Sequence, residues 1–178
     1  MKRLLLTAVV LMAVFCALQI HAQEVKFARI GPSVGMITGG DLESSSAFGL
    51  QCEVSFTERI GVELAYSRFE GEVKVDNTSF TWDQDNIALS AVVRKKMIED
   101  LSGYLLGGLN YNMIGGGADV DDEIGFHIGA GLNMQTGDFS ELFLEYRYAF
   151  VELSEDEVLN ESLDSNFGLI KLGMNFVL

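Results

Sequence analysis

Apolar side chains recur at every second position through eight separate stretches of this chain, and that period decides most of what it can fold into. A period of two places alternate residues on opposite faces of a β-strand, whereas a helix would need apolar residues three and four apart. The clearest stretch closes the sequence. Ile170, Leu172, Met174, Phe176 and Leu178 share one face, against Leu169, Lys171, Gly173, Asn175 and Val177. Residues 142–151 set Leu142, Leu144, Tyr146, Tyr148 and Phe150 against Phe143, Glu145, Arg147, Ala149 and Val151. The same reading gives strands near 126–134, 103–113, 87–94, 61–67, 47–56 and 26–37. The last of these is the weakest, because Pro32 cannot donate to a sheet ladder.

Strands of about ten residues have the length that a tilted strand needs to cross a bilayer. Short connections fall near Thr57–Arg59, Lys95–Asp100 and Thr136–Glu141. Long ones fall near Gly39–Ser45, Glu70–Asp85, Gly115–Glu123 and Glu152–Ser165. Alternate connections of a meander lie at the same end, so one end is tight-turned and the other carries four longer loops, as in an outer-membrane barrel. A soluble lipocalin-like barrel would show the same alternation with its apolar face inward. The second face decides against it. That face is mainly Gly, Ala, Ser and Asn with sparse charges, which suits the cramped interior of eight strands better than a water-facing surface. The predicted fold is therefore all-β: an eight-stranded antiparallel up-and-down transmembrane barrel over residues 23–178. Tyr66, Trp82, Tyr104, Tyr111, Tyr146 and Phe176 are the expected members of its aromatic girdles. Cys52 should face lipid as a small apolar residue.

Residues 1–22 read differently. Met1-Lys2-Arg3 is basic, Leu4 to Leu18 is apolar, and Ala22 precedes Gln23. This is the pattern of a secretory signal peptide cleaved after Ala22. The apolar run is too short for a helix that spans a bilayer, which takes roughly 20 residues. Phe15, rather than a small residue, precedes Cys16, which argues against a lipoprotein. Cleavage would leave Cys52 as the only cysteine and His127 as the only histidine, since the whole chain has two of each. Intrachain disulfides, Cys–His catalysis and multi-histidine metal sites then lose their parts.

The chain carries 26 acidic against 12 basic residues, a formal net charge of -14. Nucleic acid is not an expected partner, because binding phosphates takes clustered Lys and Arg. The acids concentrate in the long loops: Asp41 and Glu43; Glu70, Glu72, Asp76, Asp83 and Asp85; Asp119, Asp121, Asp122 and Glu123; Glu152, Glu155, Asp156, Glu157, Glu161 and Asp164. A solvated, repelling surface accounts for them. An extracellular ligand at these loops is the sharper reading. Asp119, Asp121, Asp122 and Glu123 offer oxygen ligands for Ca²⁺ but lack EF-hand spacing, so no metal and no cofactor is expected.

At this point the chain resembles the small outer-membrane β-barrels of the OmpA/OmpX-like (porin-family) type. The resemblance rests on the leader, the eight alternating segments and the terminal strand from Gly168 to Leu178. Terminal strands of this kind are the family's recognition element for outer-membrane insertion; here the last residue is Leu178 and the aromatic Phe176 stands two before it. The resemblance implies the outer membrane of a Gram-negative cell envelope, with both termini periplasmic and the long loops outside. It also implies a monomer whose partners are outer-membrane lipid and lipopolysaccharide.

On the inward face the alternation places Arg29, Glu53, Glu63, Glu145, Arg147 and Lys171, joined by His127 and Asn133. Charges within a membrane protein face its interior and are usually paired. The expectation is a network that fills and rigidifies a non-enzymatic barrel with a structural, adhesive or loop-binding role. A narrow gated channel lined by the same charges is the first alternative. A lipid-modifying enzyme is the second, with His127 as base and Ser33, Ser55, Ser67, Ser90 or Ser102 as nucleophile. No nucleophile–base motif supports it.

Overall fold

The computed structural model describes residues 27–38, 45–75, 78–115, 123–150 and 166–178; within these, the side chains at 71–83, 114–115 and 123 are left aside. The expected signal peptide over 1–22 lies outside the described residues, as do Asp119, Asp121 and Asp122. Glu123 is described only as the first backbone position of a strand.

Eight strands form: β1 (Phe27–Thr38), β2 (Ser46–Ser55), β3 (Ile60–Val75), β4 (Thr78–Lys96), β5 (Leu101–Gly115), β6 (Glu123–Gly137), β7 (Ser140–Phe150) and β8 (Phe167–Val177). Each pairs antiparallel with its neighbours in chain order, and β8 pairs back onto β1 to close the barrel. Closure leaves no open edge, which hydrocarbon would penalise at several kcal/mol per unpaired group. At the seam, Ala28 and Leu178 exchange backbone bonds of 2.8 and 3.4 Å. The β1–β8 register pauses at Gly31 and Pro32 and resumes at Ser33↔Gly173. A proline has no N–H to give to that ladder.

Three tight turns share one end of the barrel. In the first, the Thr57 hydroxyl accepts from the backbone N–H groups of Arg59 and Ile60 at 3.1 and 3.0 Å. In the second, the N–H groups of Met97 and Ile98 both reach the Leu101 carbonyl. The third is Asp138-Phe139, next to a bulge between Gln135 and Gly137.

The outward face is apolar. Val34, Phe48, Leu50, Leu89, Leu105, Leu109, Ile128 and Leu172 are each about half exposed on it. Alternate residues of the same strands are buried inside. A soluble barrel would reverse these faces, so the lipocalin-like arrangement is excluded. Above Tyr66 the outward face of β3 and β4 turns polar. The Tyr66 hydroxyl donates to Asp85 at 2.6 Å, and Arg68 pairs with Glu70 at 3.2 Å.

Two expectations need correction. The connection expected over Glu70–Asp85 is not a loop: β3 and β4 continue through it as a ladder from Glu70↔Asp83 to Val75↔Thr78. Val73, Val75, Phe80 and Trp82 have strong strand preference. Period two persists in the sequence, Glu70, Glu72 and Lys74 against Gly71, Val73 and Val75, but the apolar residues change parity after Tyr66, so the pattern that marks a spanning strand is lost while the pairing continues. Tyr104, expected in an aromatic girdle, is buried in the interior at 6% exposure. Its even position on β5 already assigned it to the inward face. Tyr146 and Phe176 are exposed on the outside, and Tyr66 is half-buried there.

Candidate functional site: the charged interior

The interior has three levels. The lowest, toward the tight turns, is built by the first inward residues of β1, β2, β4, β6 and β7. Arg94 grips Glu53 with both terminal nitrogens, at 2.7 and 2.8 Å. Arg29 bonds Glu53 and Ser55 through one nitrogen, at 3.3 and 3.0 Å, and turns its other two toward Glu141, at 3.0 and 3.4 Å. Ser55 donates to Glu53 at 2.9 Å and Asn133 to Glu141 at 3.1 Å. Planar guanidinium forks suit this shared carboxylate geometry, which lysine cannot reproduce.

The middle level uses the next inward positions. Glu145 accepts from Arg147 at 2.8 Å, and Lys171 Nζ lies 2.8 Å from the same oxygen. Tyr104 donates to the other Glu145 oxygen at 2.9 Å. Arg147 reaches across the barrel to Glu63 at 2.7 Å. Lys171 also donates to Gln51 at 3.4 Å, and Gln51 to Asn175 at 3.2 Å. Tyr104 joins the two levels, because Arg94 sits 5.4 Å from the centre of its ring.

Each of these two levels therefore holds two cations and two anions: Arg29 and Arg94 with Glu53 and Glu141, then Arg147 and Lys171 with Glu63 and Glu145. A buried charge left unpaired is very costly, so local neutrality is the condition for placing eight charges here.

The upper level is split. On one side Ile37, Ala47, Phe69, Ala149, Phe167 and Leu169 form an apolar cluster, with Phe69 and Phe167 edge to face at 5.7 Å. On the other, Gln84 and Asn86 both donate to Asn112, at 2.8 and 2.6 Å. His127 sits below this polar side, with Nε2 2.9 Å from Ser90 Oγ and no hydrogen-bond partner at Nδ1.

All eight residues singled out for the interior are buried. The structure brings Arg29 to Glu53, and Glu63, Glu145, Arg147 and Lys171 to one another. His127 stands apart with Ser90. That serine–histidine distance satisfies the geometry of a nucleophile and base. It lacks the orienting carboxylate of a triad, and both residues are about 1% exposed inside the barrel, away from lipid. Sequence reasoning missed Arg94, Glu141 and Tyr104. Arg94 and Tyr104 were legible from their even positions on the inward faces of β4 and β5. Glu141 was hidden because the same pattern treated it as part of a turn. Among the described residues no cluster of three metal-ligating side chains occurs.

The fold has solved counterparts. The chain superposes on the outer membrane protein OprG from Pseudomonas aeruginosa with a TM-score of 0.67, at 13% identity, covering 88% of this chain and 97% of that one. Neisserial surface protein A gives 0.60 at 13% identity, over 85% and 96% of the two chains. Ail, the attachment invasion locus protein of Yersinia pestis, gives 0.55 at 16% identity, over 88% and 100%. No curated protein matches by sequence. The family model described as outer membrane protein beta-barrel domain matches residues 7–176. With the closed eight-stranded sheet and its apolar exterior, that match makes the chain a member of the outer-membrane β-barrel family.

Proposed function

We propose that this protein is a non-enzymatic barrel of the outer membrane that serves as a closed scaffold. Its acidic loops meet the exterior in a structural, adhesive or ligand-binding role. The observation that carries this reading is the interior: two neutral four-charge networks, one above the other, with apolar side chains filling part of the level above. Side chains just fill a barrel of eight strands, which leaves no continuous aqueous path. Planar-bilayer recording tests it. The wild-type protein should give no stable single-channel current. A steady current that changes in Lys171→Ala or Arg147→Ala would replace the scaffold with a narrow gated channel.

A leader is removed after Ala22, the termini and tight turns face the periplasm, and the three acidic loops and the acidic β3–β4 hairpin end face outward. The barrel is a monomer among outer-membrane lipid and lipopolysaccharide. The loop carrying Asp119, Asp121, Asp122 and Glu123 offers carboxylates to a basic extracellular partner rather than a resident metal site. Intact-mass measurement of the membrane form should place its N-terminus at Gln23. A lipid-modifying role predicts altered lipid A on deletion of the gene, and an unchanged profile is expected.

A further inference from the structure

At the tight-turn end the interior opens into a cavity of about 400 Å³, the size class of small-ligand sites. Its floor is the lowest charge network, and two of the floor residues are incompletely satisfied. Arg94 gives both terminal nitrogens to Glu53, yet its Nε–H, buried, has no partner. Asn133 gives its amide N–H to Glu141, yet its Oδ1, also buried, has none. Both residues line the cavity, on β4 and β6, and both are more than nine-tenths buried. Buried polar atoms without partners are uncommon in native proteins and call for an explanation. Here they are one donor and one acceptor, each on a residue that lines the same cavity.

The charge around the cavity is uneven. Arg29 and Arg94 are already matched by Glu53 and Glu141. The exposed rim adds Lys96 against Glu58, Glu99, Asp100 and Asp138. The field over the mouth is therefore negative and favours a cation. Phe27, Leu101 and Val177 supply apolar wall.

We propose that this cavity binds a short cationic peptide segment. A backbone amide carries the acceptor that Arg94 Nε–H lacks and the donor that Asn133 Oδ1 lacks, while a basic side chain is held at the acidic rim. Small side-chain adjustments bring the two buried atoms into contact with the guest. This is a second site, separate from the acidic loops at the opposite end, and it does not depend on which side of the membrane the turns face.

The test uses the full barrel refolded in detergent and followed by NMR at the Arg94 Nε–H and Asn133 side-chain amide. The probes are a Lys-Ala-Lys tripeptide amide, a Glu-Ala-Glu tripeptide amide and methylammonium. The lysine peptide should bind saturably, on the order of tenfold tighter than the glutamate peptide, and move both signals. Methylammonium, which has charge but no amide, should leave them in place. The double variant Glu99→Gln/Asp138→Asn changes only exposed rim residues, so it keeps the barrel intact while weakening the lysine peptide about fivefold. Equal binding of the two peptides overturns the proposal. So does a methylammonium response as large as the peptide's, or lysine-peptide binding that the rim variant leaves unchanged.

Discussion

Tyr104 shows how one residue ties the interior together. Its hydroxyl donates to Glu145 and its ring lies 5.4 Å from the Arg94 guanidinium, so it touches both charge networks. It fits only because Gly131 faces it, where an added Cβ would collide with the phenol. Tyr104→Phe should destabilise the barrel by about 1.5–3 kcal/mol, the usual range for a hydrogen bond to a charged group. Glu145→Gln should cost more, about 3–5 kcal/mol, because Arg147 would keep only Glu63 and Lys171 would lose its carboxylate partner. The double variant should cost less than the sum, since both changes remove the same bond. Urea unfolding of barrels refolded in vesicles measures all three. A Glu145→Gln midpoint equal to wild type would mean that the network does not hold the fold. Sequence alternation could place Glu145, Arg147 and Lys171 on one face. It could not pair Arg147 with Glu63, because that contact crosses the barrel between residues 84 apart in sequence.

At the seam between β1 and β8 the backbones approach closely, as they also do where Gly108 of β5 meets Leu89 of β4. A Cβ at Gly31 would strike the Met174 carbonyl, and one at Gly173 would strike the Pro32 carbonyl and the Phe143 ring. These glycines permit backbones to approach where Pro32 has already removed a ladder bond. Gly173→Ala should therefore cost about 1–3 kcal/mol by overpacking and lower the yield of folded barrel. Gly107→Ala is the internal control. Its Cβ would meet the His127 carbonyl at 3.5 Å and Ile128 at 3.8 Å, ordinary contacts, so the change should stay within about 0.5 kcal/mol. The comparison is read as the fraction of protein that keeps a distinct mobility in cold SDS; equal yields would remove the seam as a special point. Strand existence was legible because lipid forces every spanning strand to show an apolar outward face, as Val34, Leu89 and Leu172 do. Strand ends were less so. Beyond Tyr66 the solvent accepts either face, so the alternation of Glu70, Glu72 and Lys74 with Gly71, Val73 and Val75 no longer puts apolar residues at the even positions that mark the spanning part of β3. The apolar cluster around Phe69 and Phe167 was equally hidden, because an inward aromatic on one strand gives no sign of the partner that will cover it.

For the whole molecule, the two networks have a consequence for assembly. Their four cations and four anions cancel, so the formal net charge of -14 lies outside them. On the proposed topology, much of it is in sequence that crosses the bilayer when the barrel inserts, including Asp119, Asp121, Asp122 and Glu123, and Glu152 through Asp164. A surface of anionic lipid repels such segments over a distance set by salt, about 10 Å at 0.1 M and 3 Å at 1 M. Insertion into vesicles rich in phosphatidylglycerol should therefore be several-fold slower than into phosphatidylcholine vesicles of equal chain length at low salt. The two rates should converge near 1 M salt, where the repulsion is screened. The time course of the cold-SDS mobility shift measures both. Replacing Asp119, Asp121 and Asp122 with Asn should speed insertion into the anionic vesicles and leave the neutral ones unchanged, because the substitution alters only the charge that meets the headgroups. A rate difference that persists at 1 M salt would place the barrier in strand pairing and seam closure instead, where Gly31 and Gly173 act.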